Sequence, residues 1–145
     1  MRIKWLLAES KRGETVWNMA AIGNHEEVLQ KLWVWAKETQ LNPNELKSKL
    51  LLATDKYGYT AWHQAAERGS LQAIETLWSW AKEVGLNTDE LLLAKNKQRD
   101  TARQLATKRR HLDVAEKLEE WENEAQLNPQ FYKRWKHDLS LLLKK

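Results

Sequence analysis

Cysteine is absent from this chain, which excludes a disulfide framework and all thiolate chemistry and leaves the redox compartment open. Proline and glycine are scarce, at 2 and 5 residues, too few for a turn-rich β protein or a glycine-rich phosphate loop. No apolar run approaches the roughly 20 residues that a membrane helix needs. The amino-terminal stretch, residues 1–9, meets a charge too early for a signal peptide, so an intracellular location, cytoplasm or nucleus, is expected. Neither sign of charge dominates, since 24 Lys and Arg against 20 Asp and Glu leave +4. Phenylalanine occurs once, yet tryptophan occurs 9 times. So lopsided a choice of aromatic suggests one sequence unit copied along the chain.

The size fits a single domain. With 145 residues, 42% of them hydrophobic and 30% charged, the composition is that of an ordinary globular chain. Gly13-Glu14-Thr15 aligns with Gly58-Tyr59-Thr60 at an offset of 45, and with Arg99-Asp100-Thr101 a further 41 on. The rows GETVWNMAAIGNH, GYTAWHQAAERGS and RDTARQLATKRRH continue in register into KLWVWAKETQLN, TLWSWAKEVGLN and KLEEWENEAQLN. PNELKSKLLLATDKY and TDELLLAKNKQ close the first two units, the second shorter by four residues. The organisation expected is one array over residues 1–145: the tail of an upstream unit (1–10), repeats over 11–55 and 56–96, and a degenerate carboxy-terminal capping repeat over 97–145. Periods of this length mark arrays in which each unit buries its apolar face on the next.

Inside a unit the pattern is helical. Ala61, Trp62, Ala65 and Ala66 share one narrow face, and Thr15, Thr60 and Thr101 stand where N-caps belong. Gly69 is placed to end its helix in a left-handed residue, with Asn24 as its counterpart. Second helices follow, with faces expected at Leu71, Ile74, Leu77, Trp78 and Ala81, and at Val28, Leu29, Leu32, Trp33 and Ala36. Asn42-Pro43-Asn44-Glu45 and Asn87-Thr88-Asp89-Glu90 read as capping boxes that open a short third helix. Seven of the nine Trp recur in register (Trp17 and Trp62; Trp33 and Trp78; Trp35, Trp80 and Trp121), as packing between layers requires.

The same residues carry a resemblance. Asp55, Gly58, Thr60-Ala61-Trp62-His63, Ala65-Ala66 and Gly69, followed by Leu71, Ile74 and Leu77, resemble an ankyrin repeat. Three features depart from that family. Val16, Ala61 and Ala102 stand in place of Pro; Trp17, Trp62 and Arg103 in place of Leu; and an extra capped helix lengthens each unit. The resemblance implies an all-α, ankyrin-like solenoid of stacked helix pairs, with tips projecting from one edge and an extra short helix per repeat. It also implies a role in binding other proteins, and for His63 a bridge between neighbouring tips.

Nothing in the sequence spells catalysis. His25, His63, His111 and His137 show no paired spacing for a metal, and Glu26-Glu27, Asp89-Glu90 and Glu119-Glu120 suit caps and helix dipoles. A non-enzyme without metal or cofactor is therefore expected. In ankyrin-like stacking the tips and the exposed ends of the first helices hold 8 basic and 3 acidic residues, +5 against +4 for the whole chain. The candidate partner-binding residues are Lys11, Arg12, Lys56, Tyr57, Tyr59, Arg68, Lys97, Arg99, Lys108 and Arg109, with the two tyrosines as anchors. The expected function is a non-catalytic scaffold for a protein partner, an acidic one on this charge, through tips and inner helices of the concave face. A nucleic-acid-binding helical repeat, and a structural or engineered array with no partner of its own, are the alternatives. Nucleic acid is the weaker one, because no reading motif accompanies the basic residues. No membrane is expected, and the chain should be a monomer unless it belongs to a longer array. Arg103 and Glu119 replace Trp, so the third unit should end the stack, closed by a helix bearing Phe131, Tyr132, Trp135, Leu139 and Leu142.

Overall fold

The computed structural model describes residues 8–23, 25–38, 41–125 and 140–143. Among them regular backbone is helical throughout, with no strand, and no helix is long and apolar enough to cross a membrane.

Three short first helices, α1 (Val16–Ile22), α4 (Ala61–Arg68) and α7 (Ala102–Lys108), begin alike. Thr15, Thr60 and Thr101 each accept the third N–H of the helix, and the residue there, Asn18, His63 or Gln104, reaches back to the threonine N–H. Three different side chains thus close one kind of capping box. Gly69 ends α4 at φ 76°, and Arg110 adopts φ 62° at the matching place after α7. Asn24 lies outside the described residues.

The second helices are α2 (Glu26–Glu38), α5 (Leu71–Glu83) and α8 (Leu112–Glu124). Leu29, Leu32, Trp33 and Ala36 are buried on α2, and Ile74, Leu77 and Ala81 on α5. Three positions correct the expected faces: Val28 is exposed, while Leu71 and Trp78 are half-buried and Trp80 takes the buried place. A one-dimensional period cannot tell which edge of an apolar stripe the next unit covers.

The first connecting helix, α3 (Pro43–Glu45), has both halves of the Asn42 and Glu45 box and continues as a π-helical segment, Leu46–Leu51. That wider turn aligns the buried Leu46, Leu50 and Leu51. In the second unit α6 (Thr88–Leu93) is three residues shorter than Pro43 to Leu51, and the link to the next tip is one shorter, which accounts for the change of offset. Asn87 caps α6 through the N–H of Asp89, so the box expected with Glu90 is not the one formed.

Packing follows the repeat. Helix α1 lies on α4 and α4 on α7, and each also packs on its own second helix. Buried Ala20, Ala21, Ala61, Ala65, Ala66, Ala102 and Ala106 allow the first helices to approach closely. Tryptophans join the units. Trp17 and Trp33 of the first unit meet Trp80 of the second, with Trp33 and Trp80 stacked at 4.9 Å. Trp62 and Trp78 meet Trp121 in the same way, with Trp78 and Trp121 stacked at 4.2 Å and 2°. Each cluster takes two indoles from one unit and one from the next. Beyond Trp121 the pattern turns polar, and Arg103 Nε lies 2.7 Å from the buried carboxylate of Glu122. Phe131, Tyr132, Trp135 and Leu139 lie outside the described residues. Leu142, expected to close the stack, is 66% exposed in the helical segment 140–143.

Candidate interaction surface

Before each first helix the chain makes one kind of tip. Ser10, Asp55 and Asn96 each accept two backbone N–H groups with one side-chain oxygen: Arg12 and Glu14, Tyr57 and Tyr59, Gln98 and Asp100. A reversed backbone bond closes each turn, from Ser10 to Glu14, Asp55 to Tyr59 and Asn96 to Asp100. Such turns require a left-handed residue, and Gly13, Gly58 and Arg99 supply it at φ 78°, 81° and 66°. Tips are joined directly, backbone to backbone. Lys56 N–H donates to Arg12 O at 2.9 Å, and Lys97 N–H to Tyr57 O at 3.0 Å.

Lys11, Lys56 and Lys97 therefore occupy the same place on successive tips, and all three are exposed. Arg12 and Arg99 extend the row, exposed as well. The acids nearby are engaged. Asp55 is buried and also accepts from Gln64 Nε2 at 3.2 Å, while Asp100 holds the Lys108 ammonium with both oxygens at 2.9 and 2.8 Å. Lys108 thus stands on this face already paired with Asp100. Its partner sits eight residues earlier on the preceding tip, a pairing that sequence spacing alone does not reveal.

Behind the tips a cavity of about 350 Å³ gathers Arg12, Tyr57, Tyr59, Arg68 and Lys97, five of the expected residues, with Glu14, Ile22, Asp55, Gln64, Glu67 and Gln98. A smaller one of about 280 Å³ brings Tyr59, Lys108 and Arg109 together with Asp100 and Leu105. Lys11, Lys56 and Arg99 line neither cavity and stand along the edge. Tyr57 is 51% exposed, with the Lys56 ammonium 5.2 Å from its ring centre. Tyr59 is half-buried and its hydroxyl donates to Glu67 at 2.9 Å, so its proton is not free for a partner, as expected of an anchor. Burial first, and then that carboxylate, push the Tyr59 phenol above its ordinary value of 10.0.

Gln64 was not among the expected site residues. Its amide orientation is set by the Asp55 carboxylate, which takes the N–H, and its Oε1 is buried with no donor among the described residues, while the residue lines the cavity. The only hint in the sequence is that Gln replaces Met19 and Leu105 of the other units. His63 is fully buried behind the tips. Its Nε2–H donates to Ala94 O at 2.9 Å, two residues before the third tip turn, and bare Nδ1 accepts from Thr60 N–H. Burial pulls its pKa below 6.5 and keeps the ring neutral. Among the described residues no group of three His, Cys, Asp or Glu could hold a metal ion. Compared with protein-family models and with curated proteins, the chain finds no match.

Proposed function

We propose that this chain is an ankyrin-like repeat array that acts as a non-catalytic scaffold, binding a partner protein across the tips and inner helices. The observation that carries this reading is the cavity in which consecutive tips meet the end of α4. There the exposed Tyr57 ring, the half-buried Tyr59 ring and the side chains of Arg12, Arg68 and Lys97, which have no ion pair among the described residues, converge on one concave surface. Tyr and Arg are the residues most enriched where binding energy concentrates. The backbone links between tips support it further, because a surface held rigid before binding loses little entropy on binding.

The test compares two sets of variants for capture of a partner from extract and for its affinity. Replacing Tyr57 and Tyr59 together by Ala is expected to remove about 2 kcal/mol or more of binding, roughly thirtyfold, with the fold retained by circular dichroism. Replacing the exposed Lys31 and Gln72 on the second helices should leave affinity unchanged. Lys37 is unsuitable as a control, since its ammonium binds Glu83 of the next unit at 2.6 Å. Loss of binding in the second-helix set, with the tyrosine pair silent, would place the functional face on the other side.

A further inference from the structure

We infer that the cavity behind the tips holds an extended acidic segment of the partner protein, main chain included, a deepening that rests on the scaffold reading above. Several polar groups of this wall are already engaged. Asp55 accepts two backbone N–H groups and the Gln64 amide, and one oxygen of Glu67 accepts the Tyr59 hydroxyl. The cations of the same wall, Arg12, Arg68 and Lys97, have no ion pair among the described residues and are exposed. The cavity wall thus sets Arg12, Arg68 and Lys97 against Glu14, Asp55 and Glu67, and its free charged donors are the three cations, which carboxylates bind. Lys11, Lys56 and Arg99 along the adjoining edge add the same sign, while Asp100 is neutralised by Lys108.

Two features favour a peptide over a nucleic acid. Glu14 and Glu67 interrupt the basic wall, so a strand with a charge on every unit meets repulsion there, whereas a peptide sets uncharged residues opposite them. Gln64 Oε1 is buried with no partner among the described residues, so a donor reaches it only as the side chain turns toward the cavity. A peptide main chain brings an N–H at nearly every residue; phosphodiester groups bring none.

The probe is an array of short peptides graded in net charge, with the best binders then measured free in solution. Gln64→Met serves as one variant, because Met19 holds that place in the first unit beneath the same kind of tip. Arg12→Ser with Lys97→Ser serves as the other, since the tips are joined through backbone atoms of these residues. Retained peptides should be enriched in Asp and Glu and should bind less tightly as salt rises. The paired basic variant should weaken them about tenfold, and Gln64→Met about fivefold. Single-stranded oligonucleotides should bind more weakly than the best peptides. The inference is overturned if retained peptides show no acidic enrichment, if oligonucleotides match them, or if both variants are silent. Neutral or basic peptides that are still lost with Tyr57→Ala and Tyr59→Ala would overturn the acidic segment and leave the scaffold function standing. Peptides insensitive to the tyrosine pair would overturn the scaffold reading itself.

Discussion

Gly58 and Arg99 share a backbone conformation but not a constraint. A Cβ on Gly58 would sit 2.8 Å from Lys97 N, at φ 81°, because the third tip lies directly against it. Arg99 carries its side chain at φ 66° where no further tip is described, so only the conformational cost applies. Gly58→Ala is therefore expected to lose about 1–2 kcal/mol from the left-handed backbone alone, and more from the contact. Arg99→Ala should stay within about 0.5 kcal/mol of the parent, since both residues carry a Cβ. Chemical denaturation of the two variants checks the contrast. His63 makes a second residue-scale prediction. Its folded pKa lies below 6.5, so below that pH the unfolded chain takes a proton that the folded chain refuses. The stability tied to His63 is full above 6.5 and falls as the pH drops toward the folded value, by at most about 1.4 kcal/mol per pH unit. His63→Gln keeps the kind of capping box that Gln104 forms and should flatten that slope, as measured by denaturation midpoints across mildly acidic pH.

At the scale of elements, helices α1, α4 and α7 are too short to be stable alone and depend on what covers them. The indole clusters supply much of that cover. Trp62 is 1% exposed and lies between Trp78 of its own unit and Trp121 of the next. Trp62→Ala should cost about 3–5 kcal/mol, because a cavity bounded by two stacked indoles has little freedom to collapse. Guanidinium or urea unfolding measures it, and a variant that unfolds like the parent would show the cluster to be dispensable.

For the molecule as a whole, the third unit departs from the other two. There the positions matching Trp62 and Trp78 hold Arg103 and Glu119, and Arg103 pairs with buried Glu122. Burial raises the Glu122 pKa above 4.5, opposed by Arg103 and aided by Glu119. Arg103→Met removes the opposing charge, so it should raise that pKa further. A group with a raised folded pKa stabilises the fold most at low pH and loses that contribution as pH rises through the folded value. The variant should therefore be destabilised near neutral pH and approach the parent as acid protonates Glu122, which paired melts at the two conditions would show. A loss independent of pH would mean that the guanidinium acts there only by packing.

The helical class, the two offsets, the threonine caps and the left-handed Gly69 were legible from the sequence alone. Each rests on what one residue permits in its own backbone or within a turn or two along the chain. The three-residue acceptors Asn18, His63 and Gln104 were harder to see, because three unlike side chains share one role. What only the tertiary structure decided is which groups meet across units. Trp33 and Trp78 are register twins, yet each stacks on a tryptophan from a different register position in the following unit, Trp80 or Trp121. Tyr59 donates its hydroxyl hydrogen bond to Glu67, Lys108 pairs with Asp100, and Gln64 donates its N–H to Asp55, so three polar residues that look free in the sequence are committed in the fold. Periodicity places a residue on a face. The position of the neighbouring element, which no local rule contains, determines what that face touches and which donors it leaves unspent.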